Sequence, residues 1–397
     1  MKKLTFLLIV VGIIFTACEK GDNESGMSNV VIPSDELHYT SIDGLPIDFS
    51  EEAFDAPMIS NTYTPDGCVI KFATPLKSIG SFLGSGASEN LTTITFPSSL
   101  ENIVDNPFSK CVRLGRFAGK FASADGLYIA KGDKFIALAV NSRIEKFDIP
   151  NHITSIGKSA FQDCKYLTSV TMNGNVVEIL DYAFSDCSNL KSISLSQNIT
   201  NMGERVFYGC TSLEQLTMPD KLTYIPVGLC QCCSSLMRVT LPSNLEVSQP
   251  TYRGSKFLEC YKLEQFVGNN ACHNGQLVVV NNILDVAALK IKECVIPENV
   301  QEIQTYAFEH CRDLQTVTIP NGCTKINNGV FSDCTSLKTI YCKATTPPVL
   351  EDGFGATSVF YNHRNDLIIY VPRASVNAYK NADKWKSYAS YIAGYNF

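Results

Sequence analysis

The chain has 397 residues, of which 45% are hydrophobic and 18% charged, with a formal net charge of −6 and sixteen cysteines. An acidic balance with no basic run excludes a surface that tracks a phosphate backbone, so nucleic acid is not an expected partner. Length alone would allow two or three compact domains, and beyond the N-terminus no stretch is long and apolar enough to span a bilayer.

The N-terminus reads as an export signal. Lys2 and Lys3 precede an apolar run from Leu4 to Phe15 that is too short to cross a bilayer as a helix, and the run ends in Phe15-Thr16-Ala17-Cys18. The small residues before Cys18 resemble a lipobox, with Phe15 where leucine is commonest. That resemblance implies removal of residues 1–17 as a signal peptide and acylation of Cys18. The alternative is an ordinary secretory signal with an incidental cysteine. The polar segment that follows, Glu19 to Gly26, is too poor in apolar residues to fold, so 18–34 is expected to be a flexible tether. Several acyl chains on one residue would anchor the protein durably. Loss of residues 1–17 removes two lysines and no acids, taking the charge to −8. Acidic residues just after Cys18 resemble the surface-export signals of Bacteroides-type lipoproteins.

Self-similarity governs the rest of the chain. Leu167, Leu190, Leu213 and Leu236 are each 23 residues apart, and each opens a short alternating run such as Leu167-Thr168-Ser169-Val170-Thr171-Met172. Upstream of the anchors stand Ala160-Phe161-Gln162-Asp163-Cys164, Ala183-Phe184-Ser185-Asp186-Cys187 and Val206-Phe207-Tyr208-Gly209-Cys210. The unit returns at Ala307 to Leu314 and Val330 to Leu337, with a weaker copy from Leu91 to Leu114. It reads L-x-x-V-x-I-P-x-x-V-x-x-I-G-x-x-A-F-x-x-C. Between Leu236 and Leu263 the register slips by four residues, which suggests a bulge or loop near Tyr252-Arg253-Gly254.

Alternation predicts a short strand with Val170 and Met172 inward and Ser169 and Thr171 outward, ended by proline in several copies. One unit cannot hide its own apolar residues, whereas stacked units form a continuous core. The expected fold is an α/β-type solenoid of units of about 23 residues, with short parallel strands, irregular or short helical turns and a cap at each end. About ten coils at the usual strand spacing of roughly 4.8 Å would make a rod on the order of 50 Å long. Two segments interrupt the array, 115–143 and 266–290. Each carries a hairpin-like pattern, around Gly132-Asp133 and around Asn281-Asn282, and each reads as a repeat variant filling the same core rather than a separate binding feature.

This unit resembles the BspA-like leucine-rich repeat over about Ser78 to Cys342. On that resemblance, 35–77, with His38 to Gly44 and Ser60 to Tyr63, is the N-terminal cap, 78–342 is the repeat solenoid, and 343–397, with Thr346-Pro347-Pro348, Ile369 to Pro372, Tyr379 and Trp385, is the C-terminal cap. The resemblance also implies an exported cell-surface protein that acts as an adhesin or binding protein.

Chemistry-bearing clusters are few. Cys111, Cys164, Cys187, Cys210, Cys233, Cys260, Cys311 and Cys334 share one position of the unit and are expected to stack as small buried free thiols rather than a disulfide framework. Cys230, Cys232 and Cys233 form a C-x-C-C cluster, but two of the three belong to inward positions, so no metal site is expected. His38, His152, His273, His310 and His363 recur at no common position, and His310 is expected to face solvent. Asp163, Asp186 and Asp333 sit on turns, where a carboxylate bonds nearby backbone amides. No phosphate loop, zinc-protease or nucleophile-elbow motif occurs in a suitable context, so no catalytic residue and no cofactor is expected.

What remains is the outward row of the strands: Ser169, Thr171, Ser192, Ser194, Gln215, Thr217, Arg238, Thr240, Thr316, Thr318, Thr339 and Tyr341. This hydroxyl-rich, nearly uncharged strip is the candidate binding face, although serine and threonine are also ordinary solvent-facing strand residues. The expectation is an outer-membrane lipoprotein on the cell surface that binds an extracellular protein or glycan. Rival readings are an accessory glycan-capture protein of a nutrient-uptake system, a periplasmic envelope scaffold, and a hydrolase hidden in an inserted segment.

Overall fold

The computed structural model describes residues 31–80, 87–246, 256–351, 353 and 358–397. The signal peptide, Cys18, most of the tether and the register slip near Tyr252-Arg253-Gly254 lie outside them.

Each repeat is one turn of a β-solenoid. Inward positions of a single unit (Leu167, Val170, Met172, Val176, Ile179, Ala183, Phe184 and Cys187) are all buried, and of the residues between them only Ser185 is buried as well. One coil therefore carries a stripe that only its neighbours can cover, and stacking buries it. Backbone groups are satisfied the same way, between coils. On one side Lys146–Asp148, Ser169–Thr171 and Ser192–Ser194 pair in parallel and in register. On a second side Lys134–Leu138, Ser155–Ile156, Glu178–Ile179 and Asn201–Met202 form another parallel ladder. On the third, the turns bond directly: the Phe161 N–H donates to Ala183 O, Phe184 to Val206 O and Phe207 to Leu229 O.

About thirteen turns are stacked in this way, rather than ten. The difference arises because the interrupting segments and the C-terminal strands add coils of their own. Tyr128–Lys131 and Lys134–Leu138 form an antiparallel hairpin, and Lys134–Leu138 then takes its place in the second ladder beside Ser155–Ile156. Leu277–Val280 and Ile283–Ala287 do likewise, with Ile283–Ala287 beside Glu302–Ile303. Asn281 and Asn282 have φ of 49° and 64°, the two left-handed residues a tight hairpin turn requires. The second hairpin is tied to the preceding coil by an ion pair, Lys256 Nζ to Asp285 Oδ1 at 2.7 Å, with the Asp285 side chain only 2% exposed. At the C-terminal end Ile368–Pro372 and Ile392–Tyr395 extend the first side in parallel. At the other end Glu36–Ser41 lies antiparallel between Gly67–Phe72 and Leu91–Phe96, with Met58–Thr64 outermost. The only α-helix among the described residues is Val376–Asn381, so strand and turn carry the α/β-type solenoid expected from sequence.

The turn side holds two stacks. Phe135, Phe161, Phe184 and Phe207 lie ring over ring, with centroids 4.7, 4.7 and 5.7 Å apart, and Phe308, Phe331 and Phe360 repeat the pattern. Beside them run the ladder cysteines, all buried and all free thiols. They do more than fill space. The Cys187 thiol donates to Phe161 O at 3.0 Å, Cys210 to Phe184 O at 3.1 Å, Cys233 to Phe207 O at 3.0 Å and Cys334 to Phe308 O at 3.0 Å. Each thiol thus binds the carbonyl of the phenylalanine one coil back.

Two residues per turn adopt left-handed backbone. One precedes the small residue (Ser159, Tyr182, Arg205, Tyr306) and one precedes the cysteine (Asp163, Asp186, Gly209, Cys232, Glu259, His310, Asp333), with Asn362 before His363 in the corresponding place. This corrects the role expected for the turn aspartates. Asp163, Asp186 and Asp333 are there because aspartate tolerates this conformation, and their carboxylates meet Lys165 Nζ, Ser185 Oγ and Asn362 Nδ2 rather than backbone amides. Other aspartates play the expected part: Asp43 and Asp125 accept the N–H two residues on, and Asp181 Oδ1 accepts the Glu204 N–H of the next coil at 2.8 Å.

Candidate binding face

The twelve strip residues lie in two rows along the first side. In the first, Lys146, Ser169 and Ser192 are in register, as are Gln215, Arg238 and Gln265, and Glu293, Thr316, Thr339 and Ile368. In the second, the corresponding sets are Asp148, Thr171 and Ser194; Thr217, Thr240 and Val267; and Val295, Thr318, Tyr341 and Tyr370. Strand pairing is interrupted between Ser192–Ser194 and Gln215–Thr217, and again between Gln265–Val267 and Glu293–Val295, so the face is built of three sheets laid end to end.

Outward positions sit here because alternate residues of each strand enter the core. Val170, Leu216, Val239, Val317 and Ile340 are each 2% exposed or less, which forces their neighbours to solvent. None of the twelve strip side chains makes a side-chain hydrogen bond or ion pair with another described residue, so their donors and acceptors are open to water or a ligand. The rows are longer and less uniform than the sequence reading placed them. Lys146, Asp148 and Glu293 bring charge, while Val267, Val295 and Ile368 bring exposed apolar surface. Their signal was present, since Leu263 and Ile291 stand two residues before Gln265 and Glu293 just as Leu213 stands before Gln215.

At the C-terminal end the face turns aromatic. Tyr341 and Tyr370 stack at 5.3 Å with planes 14° apart, Tyr395 lies 5.3 and 5.4 Å from them, and Phe397 is 5.1 Å from Tyr395. Tyr341 alone of these belonged to the expected strip.

Other chemistry-bearing residues do not converge. Cys230 and Cys233 are buried, Cys232 is half-buried against Glu259 Oε2 at 3.3 Å, and desolvation pushes the Cys232 thiol up to about 11. Burial likewise raises Cys187, Cys210, Cys311 and Cys334, so these thiols stay protonated at neutral pH. Among the described residues no group of three or more histidine, cysteine or carboxylate side chains is arranged to hold a metal. His310 is partly covered rather than solvent-facing. It lies 3.5 Å from Asp333 and 3.3 Å from Arg312, packed between turns, and burial lowers its pKa despite the raising effect of Asp333. His38 pairs with Glu36, and His363 bonds the Phe360 carbonyl.

The sequence model described as the BspA type leucine rich repeat region matches residues 66–118, 139–266 and 287–361, in six copies. The two gaps between those matches fall on the two hairpins. Among solved structures, the chain is similar to a leucine-rich repeat protein from Eubacterium ventriosum at 21% identity and a TM-score of 0.43, covering 62% of this chain and 74% of that one. A leucine-rich repeat protein from Bacteroides ovatus has 21% identity and a TM-score of 0.34, covering 62% and 76%. The pneumococcal vaccine antigen PcpA has 15% identity and a TM-score of 0.41, covering 89% and 90%. No curated protein matches the chain.

Proposed function

Because this chain belongs to the BspA-type leucine-rich repeat family, we propose that it is an exported, lipid-anchored surface protein that binds an extracellular macromolecule along the two outward rows. The observation that carries this reading is the rows themselves. They extend over three successive sheets of the first side, and the twelve strip side chains make no side-chain hydrogen bond or ion pair among the described residues. A stack of coils offers an extended surface whose recognition is set residue by residue, and that suits binding rather than catalysis. Residues 1–17 are removed, Cys18 carries the lipid, 18–34 spaces the solenoid from the membrane, and 35–77 and 343–397 close its two ends. The partner is a protein or a glycan of the host or of neighbouring microbes.

The test is a solid-phase binding panel of mucin, extracellular matrix proteins and glycans, probed with the mature chain. Saturable binding to at least one, competed by free ligand, is the expected result. Absence of binding across the panel and to whole cells overturns the proposal.

A further inference from the structure

We infer that the aromatic C-terminal end of the strand face is a subsite for a neutral polysaccharide chain. The inference deepens the binding role proposed above and rests on it. Four rings gather there from three separate stretches of sequence: Tyr341, Tyr370 and the pair Tyr395 and Phe397. Tyr395 and Phe397 are 42% and 52% exposed, an exposure that costs free energy unless something covers it.

The stack also stops abruptly. Tyr341 covers one face of Tyr370, but the residue paired with Tyr370 on the next strand is Ala393, whose methyl group is too small to continue the stack. The Ile392–Tyr395 strand is the last of that sheet. Next to the rings lies an open groove of about 830 Å³, lined by Asn321, Lys343, Thr345, Arg373, Tyr395 and Asn396 among others.

A pyranose ring has one or both faces made of C–H bonds and a rim of hydroxyls. It needs aromatic surface against the first and short polar groups beside it for the second. The rings with Asn321, Thr345 and Asn396, all exposed, offer that alternation. An apolar peptide side chain would instead need an enclosed pocket, which an open groove does not give it. Charge narrows the class further. The net charge of −6 disfavours a polyanion at long range, and of the two lining cations Lys343 is already held by Glu298 at 2.8 Å, which leaves Arg373 alone to oppose that balance.

The probe is affinity gel electrophoresis of the full mature chain in gels containing laminarin, xyloglucan, yeast mannan or polygalacturonate. The wild type is expected to be retarded by at least one of the three neutral polymers and not by polygalacturonate. The double variant Tyr395→Ala/Phe397→Ala should bind about tenfold more weakly, since it removes two ring contacts. Both residues are exposed, and an unchanged unfolding midpoint would show that the variant folds. Lys221→Ala, at an exposed turn, should run as the wild type. No retardation by any neutral polymer, equal retardation of the double variant, or retardation by polygalacturonate alone overturns the subsite. Binding to the panel partner, measured in parallel with Ser194→Glu/Arg238→Glu, separates the two claims. If that pair abolishes partner binding while the gels show nothing, the rows stand and the subsite falls.

Discussion

Cys210 tests whether the ladder thiols act as hydrogen-bond donors or only as apolar filling. The residue is fully buried, and its Sγ donates to Phe184 O at 3.1 Å, a carbonyl that also accepts the Cys187 N–H at 3.4 Å. Replacement by alanine removes one buried group, worth about 0.8 kcal/mol on the methylene scale. It also removes one hydrogen bond, worth about 0.5–1.5 kcal/mol, and the lower half applies because the carbonyl keeps a second partner and a thiol is a weak donor. The expected cost of Cys210→Ala is therefore about 1–2 kcal/mol. Cys210→Ser keeps a donor at nearly the same place and should cost no more than the alanine change. Urea unfolding at equal slope gives both values. If serine is worse than alanine by about 1 kcal/mol or more, a buried hydroxyl has found no acceptor, and the thiols are filling alone.

Four further outcomes follow from the same geometry. Lys256→Ala strands the Asp285 carboxylate in the core and should cost about 3–5 kcal/mol, whereas Lys256→Met/Asp285→Leu should recover most of it, by urea midpoints; equal losses in both would show that the pair is not the hairpin's tie. Phe184→Ala opens the ring stack between Phe161 and Phe207 and should cost about 3–5 kcal/mol, with hydrogen exchange quickening first in the coils on either side; a cost below about 1 kcal/mol would refute the stack as a stabilising element. With its thiol near 11, Cys232 should react with a disulfide reagent at about pH 8 roughly a hundredfold more slowly than free cysteine, and the ladder thiols only after denaturation; fast labelling of the native chain would contradict their burial. Burial lowers the pKa of His310, so as pH falls below its ordinary 6.5 the unfolded chain takes up a proton that the native chain refuses, and stability drops; His310→Gln should flatten that decline between about pH 7 and 5.5, and an unchanged slope would count against it.

The fold was legible because one period, 23 residues, repeats the same inward leucine, strand, phenylalanine and cysteine. Several features were not. Left-handed backbone at Tyr182, Arg205, Tyr306 and Cys232 contradicts local preference, and it is imposed by the hydrogen bonds each turn makes to the next coil. The thiol donors were hidden because a cysteine that fills space and one that binds a carbonyl look alike in sequence. The aromatic end was missed for another reason. Ile368–Pro372 and Ile392–Tyr395 follow no repeat period, so Tyr370 could not be placed in the row of Tyr341, nor the Tyr395 ring against both, until the strands were seen to pair. His310 was misplaced because part of its cover comes from Asp333 on the next turn, a contact no local pattern records.

The binding face itself is tested most directly by moving the same perturbation from one side of the solenoid to another. Ser194→Glu/Arg238→Glu places two carboxylates on the outward rows, and Thr200→Glu/Thr223→Glu places two on exposed positions beside the second ladder. Dissociation constants for the panel partner are measured for both, with unfolding midpoints as controls. The account predicts that the row variant weakens binding by about tenfold or more while the second-side variant binds as the wild type. Wild-type affinity in the row variant, or a loss confined to the second-side variant, would contradict it.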